Sequence, residues 1–515
     1  MPELLRWAAA GGGLLAAMVI IWDGRDISAQ ETQRRFATPT PALTAIEGGS
    51  PSEEDVLRTL ASNRNARDVP GEYAPGRVIV RFREGSASAQ MHTATLQSVG
   101  ARAASNPEYA DFDVIDIDPG LDAETVAASL SARPDVEYAQ PDYRVYTRFR
   151  PNDPEYGRQW NFTALDMETA WEINRGASSS VIVAVLDSGM AFKNVSFEYT
   201  APAFRFENRN YPALGRIRIP FAAAPDLMSA NRFVAPRDFI WNDTDPVDLD
   251  GHGTHVAGTI GQLTDNGSGG AGMAFNVRLM PVKVISGEWD AIFNSPSSGT
   301  DSIIAQGIRY AVDNGARVIN MSIGRRGAPA PAIESALRDA VARGAFVAIA
   351  AGNEFEEGNP DERYAEIAGR IDGVMCVAAV GRELNRAPYS GVKPYVEIAA
   401  PGGDVRVGGT AGTIFQQSYD PTLGFSAPLT SAPSVYRAPR FDVFVQRPNQ
   451  GTSMATPHVS GLAALLMQQG ITNPAAIEAA IKRFATDRGP SGRDNEYGYG
   501  IINPRATLRG LGLIK

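Results

Sequence analysis

The sequence has few of the residues that would build a disulfide scaffold, a metal centre or a nucleic-acid surface. It contains one cysteine, Cys376, so no intrachain disulfide can form, and only four histidines. Apolar neighbours on both sides of Cys376 predict a buried structural thiol rather than a nucleophile. Acidic residues outnumber basic ones by 58 to 48, which gives a formal net charge of -10, and no basic stripe is present. We therefore expect no nucleic-acid partner.

The sequence does contain enough apolar residues for a large core. Of its 515 residues, 43% are hydrophobic and 21% are charged. This composition is typical of a globular protein with two or three domains.

An uncharged run from Trp7 to Trp22 follows Arg6 near the N-terminus. It is shorter than the ~18 apolar residues that indicate a membrane-spanning helix. The small residues at Ile27-Ser28-Ala29 could be cut by a signal peptidase. We expect residues 1–29 to be a signal peptide that directs the protein to the periplasm or the extracellular space. The alternative is a retained anchor, and only in that case would the protein contact a membrane.

Two changes of composition divide the rest of the chain. Residues 30–71 mix Thr, Pro, Ser and charges without a sustained period, which predicts a linker. Residues 72–147 alternate three short strand patterns with two helix-like stretches, which predicts a small α+β domain of the ferredoxin-like type. The prolines and the Asn-Asp pair of the segment 149–154 then mark an exposed joint, and residues 148–515 form the last predicted domain.

The sequence of this last domain predicts an α/β fold with a mostly parallel sheet. Continuous Val/Ile/Ala runs alternate with helix-like segments, so the sheet should be covered by helices on both faces. The predicted strands are 180–186, 276–285, 317–323, 345–350, 374–380 and 396–400. Two longer segments, 191–247 and 403–450, are predicted to be surface insertions. Active residues of such sheets gather at the carboxyl ends of the strands.

The segment Gly451-Thr452-Ser453-Met454-Ala455 runs into an uncharged Ala/Leu-rich stretch that ends at Gly470, which predicts a buried helix. Ser453 would lie at the start of this helix, where free backbone N–H groups favour negative charge. An acyl-transfer nucleophile would be useful at that position. The alternative is that Thr452 or Ser453 serves only as the helix N-cap.

Asp187 and His252 are the candidate partners of this serine. Asp187 follows the buried strand 180–186, and a carboxylate at that depth needs a hydrogen-bond partner. The segment Asp250-Gly251-His252-Gly253-Thr254-His255 supplies one, with His252 as the base and His255 as a packed core histidine. Spacing of three residues also permits a zinc site at His252 and His255, but no acidic residue lies between them as in a His-Glu-x-x-His helix.

Two further strand ends carry residues suited to a peptide substrate. Asn353 follows the strand 345–350, and its amide could donate a hydrogen bond to an oxyanion at the carbonyl that Ser453 attacks. Its alternative role is a loop residue that caps the strand. The backbone of residues 320–324 could pair with an extended peptide as an added strand.

The three segments containing Asp187-Ser188-Gly189, His252-Gly253-Thr254-His255 and Gly451-Thr452-Ser453-Met454-Ala455 resemble the three catalytic motifs of the subtilisin-like serine proteases, in the same chain order. The resemblance covers roughly residues 151 to 507. It extends more weakly to residues 72–147, which are similar to the inhibitory propeptide of that family.

The resemblance implies a serine endopeptidase that hydrolyses peptide bonds and is made as a zymogen. Ser453 would be the nucleophile, His252 the base and Asp187 its partner, while Asn353 and the Ser453 backbone N–H would form the oxyanion hole. Protein or peptide substrates would contact Ser322, Ile323, Gly324 and Gly352, and the propeptide would inhibit its own chain.

No cofactor is expected for the chemistry, and we assign no metal ligand. The segment 263–270 is similar to the calcium loop of the family, so a structural calcium ion is possible, with Asp153 and Asn266 as candidate contacts. Three alternatives remain open at this point. They are a catalytically silent peptide-binding scaffold, a membrane-anchored processing protease, and an acid peptidase of the Glu-Asp-Ser type, which His252 and Asn353 argue against.

Overall fold

The computed structural model describes residues 73–85, 89–144, 149–206, 209–419 and 439–510. The predicted signal peptide or anchor and the predicted linker lie outside the described residues. None of the helices in these ranges combines the length and the apolar character needed to cross a membrane.

The segment 73–144 forms a small antiparallel sheet with two helices. Strand order is β2-β3-β1-β4. The elements are β1 (Tyr73–Phe82), α1 (Ala89–Ser98), β2 (Ala103–Ser105), β3 (Asp113–Asp116), α2 (Ala123–Ser131) and β4 (Val136–Tyr143). Val78, Val80, Ile115 and Leu130 build a core separate from that of the rest of the chain. The sequence pattern missed β2, because a three-residue edge strand is too short to show alternation.

Residues 149–510 are built on a seven-stranded parallel sheet of order β10-β11-β5-β12-β13-β14-β15. The strands of this region are β5 (Ile182–Asp187), β6 (Val195–Ala201), β7 (Phe204–Phe206), β8 (Arg209–Tyr211), β9 (Gly215–Phe221), β10 (Arg237–Asp238), β11 (Arg278–Lys283), β12 (Val318–Met321), β13 (Phe346–Ala350), β14 (Val374–Val380), β15 (Ile398–Pro401), β16 (Ile414–Tyr419) and β17 (Phe444–Asn449). Every residue of β5, β12, β13 and β14 is buried. Successive side chains of a strand point to opposite faces, so both faces of the sheet are covered.

Helices supply that cover, as the sequence pattern predicts. The helices of residues 149–510 are α3 (Trp160–Ala164), α4 (Met167–Ile173), α5 (His252–Gly261), α6 (Glu288–Ile292), α7 (Asp301–Asp313), α8 (Pro331–Ala342), α9 (Ala365–Ala368), α10 (Thr452–Gln468), α11 (Pro474–Arg483) and α12 (Pro504–Arg509). Helix α10 is buried over almost its whole length and packs on β12 to β15 and on α5. Gly470 follows its last turn with a φ of 96°, a left-handed conformation that favours glycine.

The prediction that segments 191–247 and 403–450 are surface insertions is wrong for part of their described length, because each contributes buried residues to the main core. The first forms the antiparallel hairpin β6–β9, and Tyr199 and Phe221 join the main core. The second contributes the antiparallel pair β16–β17, and β16 is buried at every residue. Phe221 of the first segment stacks on Phe441 of the second, with ring centroids 5.1 Å apart. These aromatic anchors are too widely spaced among Arg, Pro and Gly to produce a regular period.

Candidate active site

The structure brings Asp187 and His252 into contact. Asp187 is the last residue of β5 and is fully buried, and His252 is the first residue of α5. His252 Nδ1 lies 2.7 Å from Asp187 Oδ1, which also accepts a 2.7 Å hydrogen bond from the Ser188 N–H. The imidazole is 27% exposed. The carboxylate thus fixes one ring nitrogen and leaves the opposite side of the ring towards solvent.

Charges around His252 make its imidazole unusually basic. Partial burial lowers the pKa, but the charge of Asp187, its hydrogen bond and the charges of Asp250 and Asp248 outweigh this effect. Together they raise the pKa of His252 to about 9. Such an imidazole takes up a proton readily and is stabilised once it is charged.

Asp248, which the sequence reasoning missed, organises the loop that carries His252. It is fully buried, and its Oδ1 accepts hydrogen bonds from the backbone N–H groups of Asp250 (3.0 Å) and Gly251 (2.8 Å) and from the Ser188 hydroxyl (3.0 Å). Its Oδ2 accepts from the Thr254 N–H (2.9 Å) and hydroxyl (2.6 Å). These donors outweigh the cost of burial and lower the pKa of Asp248. The carboxylate therefore ties β5 to the start of α5.

The loop before α5 requires glycine at position 251. Its φ of 95° is in the left-handed region, and a Cβ there would lie 2.7 Å from the Ser418 hydroxyl oxygen. Glycine alone allows the tight turn into α5 at this position. The turn places His252 at the helix start, beside the end of β5.

Ser453 is the second residue of α10, as predicted, and it is not an N-cap. The helix begins after its N-cap residue, Gly451, which has no side chain to cap it. Ser453 Oγ donates a 3.2 Å hydrogen bond to the Ser322 carbonyl, and the Ser322 hydroxyl donates a 2.8 Å bond to the Ser453 carbonyl. Among the described residues, the hydrogen bonds of Ser453 Oγ do not include His252. The expected bridge from carboxylate through imidazole to hydroxyl is therefore formed on the Asp187 side only.

The side chain of Asn353 contacts Thr452, the residue before Ser453. Its Oδ1 accepts hydrogen bonds from the Thr452 N–H (2.8 Å) and hydroxyl (3.0 Å). Because the amide oxygen is held in this way, the Nδ2 group is left as the donor. The residue is exposed. As the second residue of α10, Ser453 also has a backbone N–H without an acceptor inside the helix.

His255 is the packed core histidine that the sequence predicts. It is fully buried, and its Nε2 lies 3.1 Å from the carbonyls of Ile414 and Arg447. Burial, followed by the charge of His252, lowers the pKa of His255 to about 3, so it is neutral. Among the described residues, no group of three or more His, Cys, Asp or Glu side chains is arranged to hold a metal ion.

The four predicted substrate-contact residues follow two neighbouring strands. Ser322, Ile323 and Gly324 come after β12, and Gly352 comes after β13, which pairs with β12 in parallel. The Ser322 side chain is held inside the protein, because its hydroxyl accepts a 3.0 Å hydrogen bond from the buried Asn320 amide. Gly324 is exposed and Gly352 half-buried. The two glycines therefore stand at the same edge of the sheet.

The predicted calcium loop packs against two carboxylates. Asp153 accepts hydrogen bonds from the N–H groups of Asp265 (2.7 Å) and Asn266 (3.1 Å), and the Asn266 amide donates a 2.8 Å bond to Asp226. Asp226 is fully buried. Burial, only partly offset by hydrogen bonds and reinforced by the charge of Asp153, raises the pKa of Asp226. The nearby Gln262 Oε1 is a buried oxygen with no hydrogen-bond partner. Oxygen donors of this kind suit Ca²⁺.

Comparisons with known proteins agree with this geometry. The model of the subtilase family matches residues 178–500, and that of the fervidolysin N-terminal prodomain matches residues 60–142. A thermophilic serine proteinase of Bacillus sp. (strain AK1) is 32% identical over 89% of this chain and 93% of its own. An extracellular protease of Xanthomonas campestris pv. campestris is 28% identical over 77% of this chain and 63% of its own.

A solved structure of similar fold comes from Pseudoalteromonas arctica PAMC 21717. This protease is 28% identical, with a TM-score of 0.50 over 70% of this chain and 99% of its own. The family match covers more than half of the present chain and includes the segments of Asp187, His252 and Ser453. The chain therefore belongs to the subtilase family of serine endopeptidases and carries an N-terminal prodomain.

Proposed function

We propose that this chain is a secreted serine endopeptidase, made as a zymogen, that hydrolyses peptide bonds with Ser453, His252 and Asp187. The 2.7 Å contact between His252 Nδ1 and Asp187 Oδ1 carries the proposal. It fixes the tautomer of the ring, so that Nε2 is the basic nitrogen. Secretion is supported by the extracellular protease that resembles the chain.

The reaction starts with the Ser453 hydroxyl, which turns from the Ser322 carbonyl towards His252. His252 Nε2 takes the proton while Ser453 Oγ attacks the peptide carbonyl. The collapsing intermediate expels the amine, which receives its proton from His252. A water molecule then attacks the acyl-enzyme by the same route and releases the new carboxyl group. Asp187 holds the imidazole in place and stabilises its charged form.

Asn353 Nδ2 and the Ser453 backbone N–H would bind the oxyanion. Both donors are fixed before substrate arrives, because Asn353 Oδ1 is held by Thr452 and the N–H belongs to the first turn of α10. Donors that need no reorganisation stabilise developing charge most effectively.

The domain of residues 72–147 would occupy the cleft as an intramolecular inhibitor until it is cut off. We place the cut between Tyr146 and Pro151, at the joint between the two domains. Ser453→Ala should accumulate the uncut precursor and hydrolyse peptides at the background rate. N-terminal sequencing of the wild-type product should find a start within the joint. A mature form that retains residues 72–147 during turnover would contradict the zymogen.

A catalytically silent peptide-binding scaffold is the rival function. A serine-directed fluorophosphonate distinguishes the two, because only an activated hydroxyl reacts with it. The wild-type chain should be labelled and Ser453→Ala should not. Absence of labelling in a folded, processed wild-type protein would favour the scaffold.

We also propose a structural calcium ion held by the loop 263–270. Asp153, Asp226 and Asn266 are the side chains that would contact it, and a divalent cation would offset the buried charge of Asp226. The ion takes no part in the reaction at Ser453.

A further inference from the structure

A buried carboxylate lies between the two glycines that border the proposed cleft. Glu362 is only 7% exposed. A Cβ built on Gly324 would collide with its carboxyl group, and a Cβ on Gly352 would lie 3.6 Å and 3.8 Å from its Cβ and Cγ. Its side chain therefore crosses the space between the segments that follow β12 and β13.

Glycine at position 324 keeps this carboxyl group uncovered from the side of the cleft. Gly324 is exposed, whereas Ile323 before it is buried. A larger residue at 324 would have to displace the Glu362 carboxyl group. The absent side chain thus leaves a path from the substrate side of the strand end to a negative charge.

Glu362 has no cation of its own among the described residues. The arginines near it pair with other carboxylates, Arg325 with Asp301, Arg326 with Glu357 and with Glu354 at 3.4 Å, and Arg363 with Glu366. One carboxyl oxygen, Oε1, accepts a hydrogen bond from the Arg325 backbone N–H. A buried charge of this kind is costly unless a partner is supplied.

The electrostatics agree with a missing cation. Burial raises the pKa of Glu362 to about 7, backbone N–H groups only partly offset this effect, and the charge of Glu354 adds to it. Glu354 stands at the rim of the same space, where its Oε2 accepts a 2.9 Å hydrogen bond from the Asn353 N–H. A positive group entering between the glycines would meet both carboxylates.

We propose that Glu362 selects substrates with lysine or arginine on the acyl side of the cleaved bond, by pairing with the cationic end of that side chain. This inference rests on the proposed function, because it assigns the substrate class of the same site. A basic side chain has the length and the charge to reach a carboxylate set behind the strand end. At this buried carboxylate, the substrate would supply the missing partner.

The test measures kcat/KM for a peptide series that differs only at this residue, with Lys, Arg, Gln, Leu or Ala. The processed wild-type enzyme, obtained from the full chain, should prefer Lys and Arg. Glu362→Gln keeps the shape and an acceptor for the Arg325 N–H but removes the charge. It should lower kcat/KM for Lys and Arg on the order of 10²-fold and leave that for Leu and Ala nearly unchanged.

Glu357→Gln is the matched control, because this exposed carboxylate is close in sequence and pairs with Arg326. Its Lys-to-Leu ratio should stay at the wild-type value. An equal loss for all peptides in Glu362→Gln would mean that Glu362 only holds the loop, and would overturn the proposal. A wild-type preference for Ala that Glu362→Ala broadens to Leu would overturn it in favour of a steric role. If the wild-type enzyme hydrolyses no peptide at all, the proposed function fails instead.

Discussion

The free energy of unfolding should depend on pH through His252. Its pKa is about 9 in the folded chain, against 6.5 for an isolated histidine side chain. One pKa unit corresponds to about 1.4 kcal/mol, so the folded site favours the protonated imidazole by about 3 kcal/mol. Because the folded pKa is raised, this stabilisation is fully present below pH 6.5. It is lost as the pH rises through about 9.

Urea denaturation of two variants isolates this contribution. Ser453→Ala prevents self-digestion, and Ser453→Ala with His252→Gln removes the titrating group as well. Groups far from His252 titrate equally in both, so the difference between their unfolding free energies reports His252 together with the carboxylates beside it. Ser453→Ala should be more stable than the double variant by about 3 kcal/mol more at about pH 6 than at about pH 10, because the stabilisation by the protonated imidazole is lost as the pH rises. A difference that stays constant over this range would refute the argument that the carboxylates outweigh burial.

The same titration should govern turnover. The general base must be neutral to accept the Ser453 proton, so kcat/KM should rise with pH. Its apparent pKa should lie closer to 9 than to 6.5. A rise centred near 6.5 in the processed wild-type enzyme would show that the charges of Asp187, Asp248 and Asp250 are screened more than the structure indicates.

Two further predictions concern residues beside the proposed triad, and a third concerns the proposed calcium site. Asn353→Ala should lower kcat by about 10² to 10³-fold in steady-state kinetics, with little change in KM. The magnitude is the one known for the corresponding loss in subtilisin itself. A change in KM alone would contradict the oxyanion role. In urea denaturation of the Ser453→Ala background, Asp248→Asn should lower the unfolding free energy by about 3 kcal/mol, because buried donors lose their acceptor. A loss below about 0.5 kcal/mol would refute the role of Asp248 in holding the loop of His252. In thermal denaturation, EDTA should lower the Tm of Ser453→Ala, and the added substitution Asp226→Asn should remove this effect of EDTA. An equal lowering of the Tm by EDTA with and without Asp226→Asn would exclude the proposed calcium contacts.

The sequence was sufficient to predict the parts of the site that depend on repeated local patterns. Asp187 ends a continuous apolar strand, and Ser453 lies at the start of a long uncharged helix, so both positions could be located from the chain alone. The parallel sheet followed from the same apolar runs, and its helical cover is confirmed. The predicted domain boundaries at 71 and 147 remain predictions.

Tertiary contacts determine the parts that the sequence could not show. Asp248 looks like an ordinary loop acid, and only its burial beside Ser188 and Thr254 reveals its function. Glu362 lies in a charged stretch that is typical of a solvated surface, yet the fold buries it between Gly324 and Gly352. No local period marks either residue, because each acts through segments far away in the chain.

The proton acceptor and the nucleophile of the proposed triad differ in how firmly they are held, and this difference suits the proposed reaction. His252 is fixed by a 2.7 Å contact with buried Asp187, and its loop is fixed by the five hydrogen bonds of Asp248. Ser453 Oγ is held by one 3.2 Å hydrogen bond, whose loss costs about 1 kcal/mol. A hydroxyl can change rotamer without moving the backbone of α10. The proton acceptor is therefore preorganised, while the nucleophile keeps the freedom that it needs to leave Ser322 and attack.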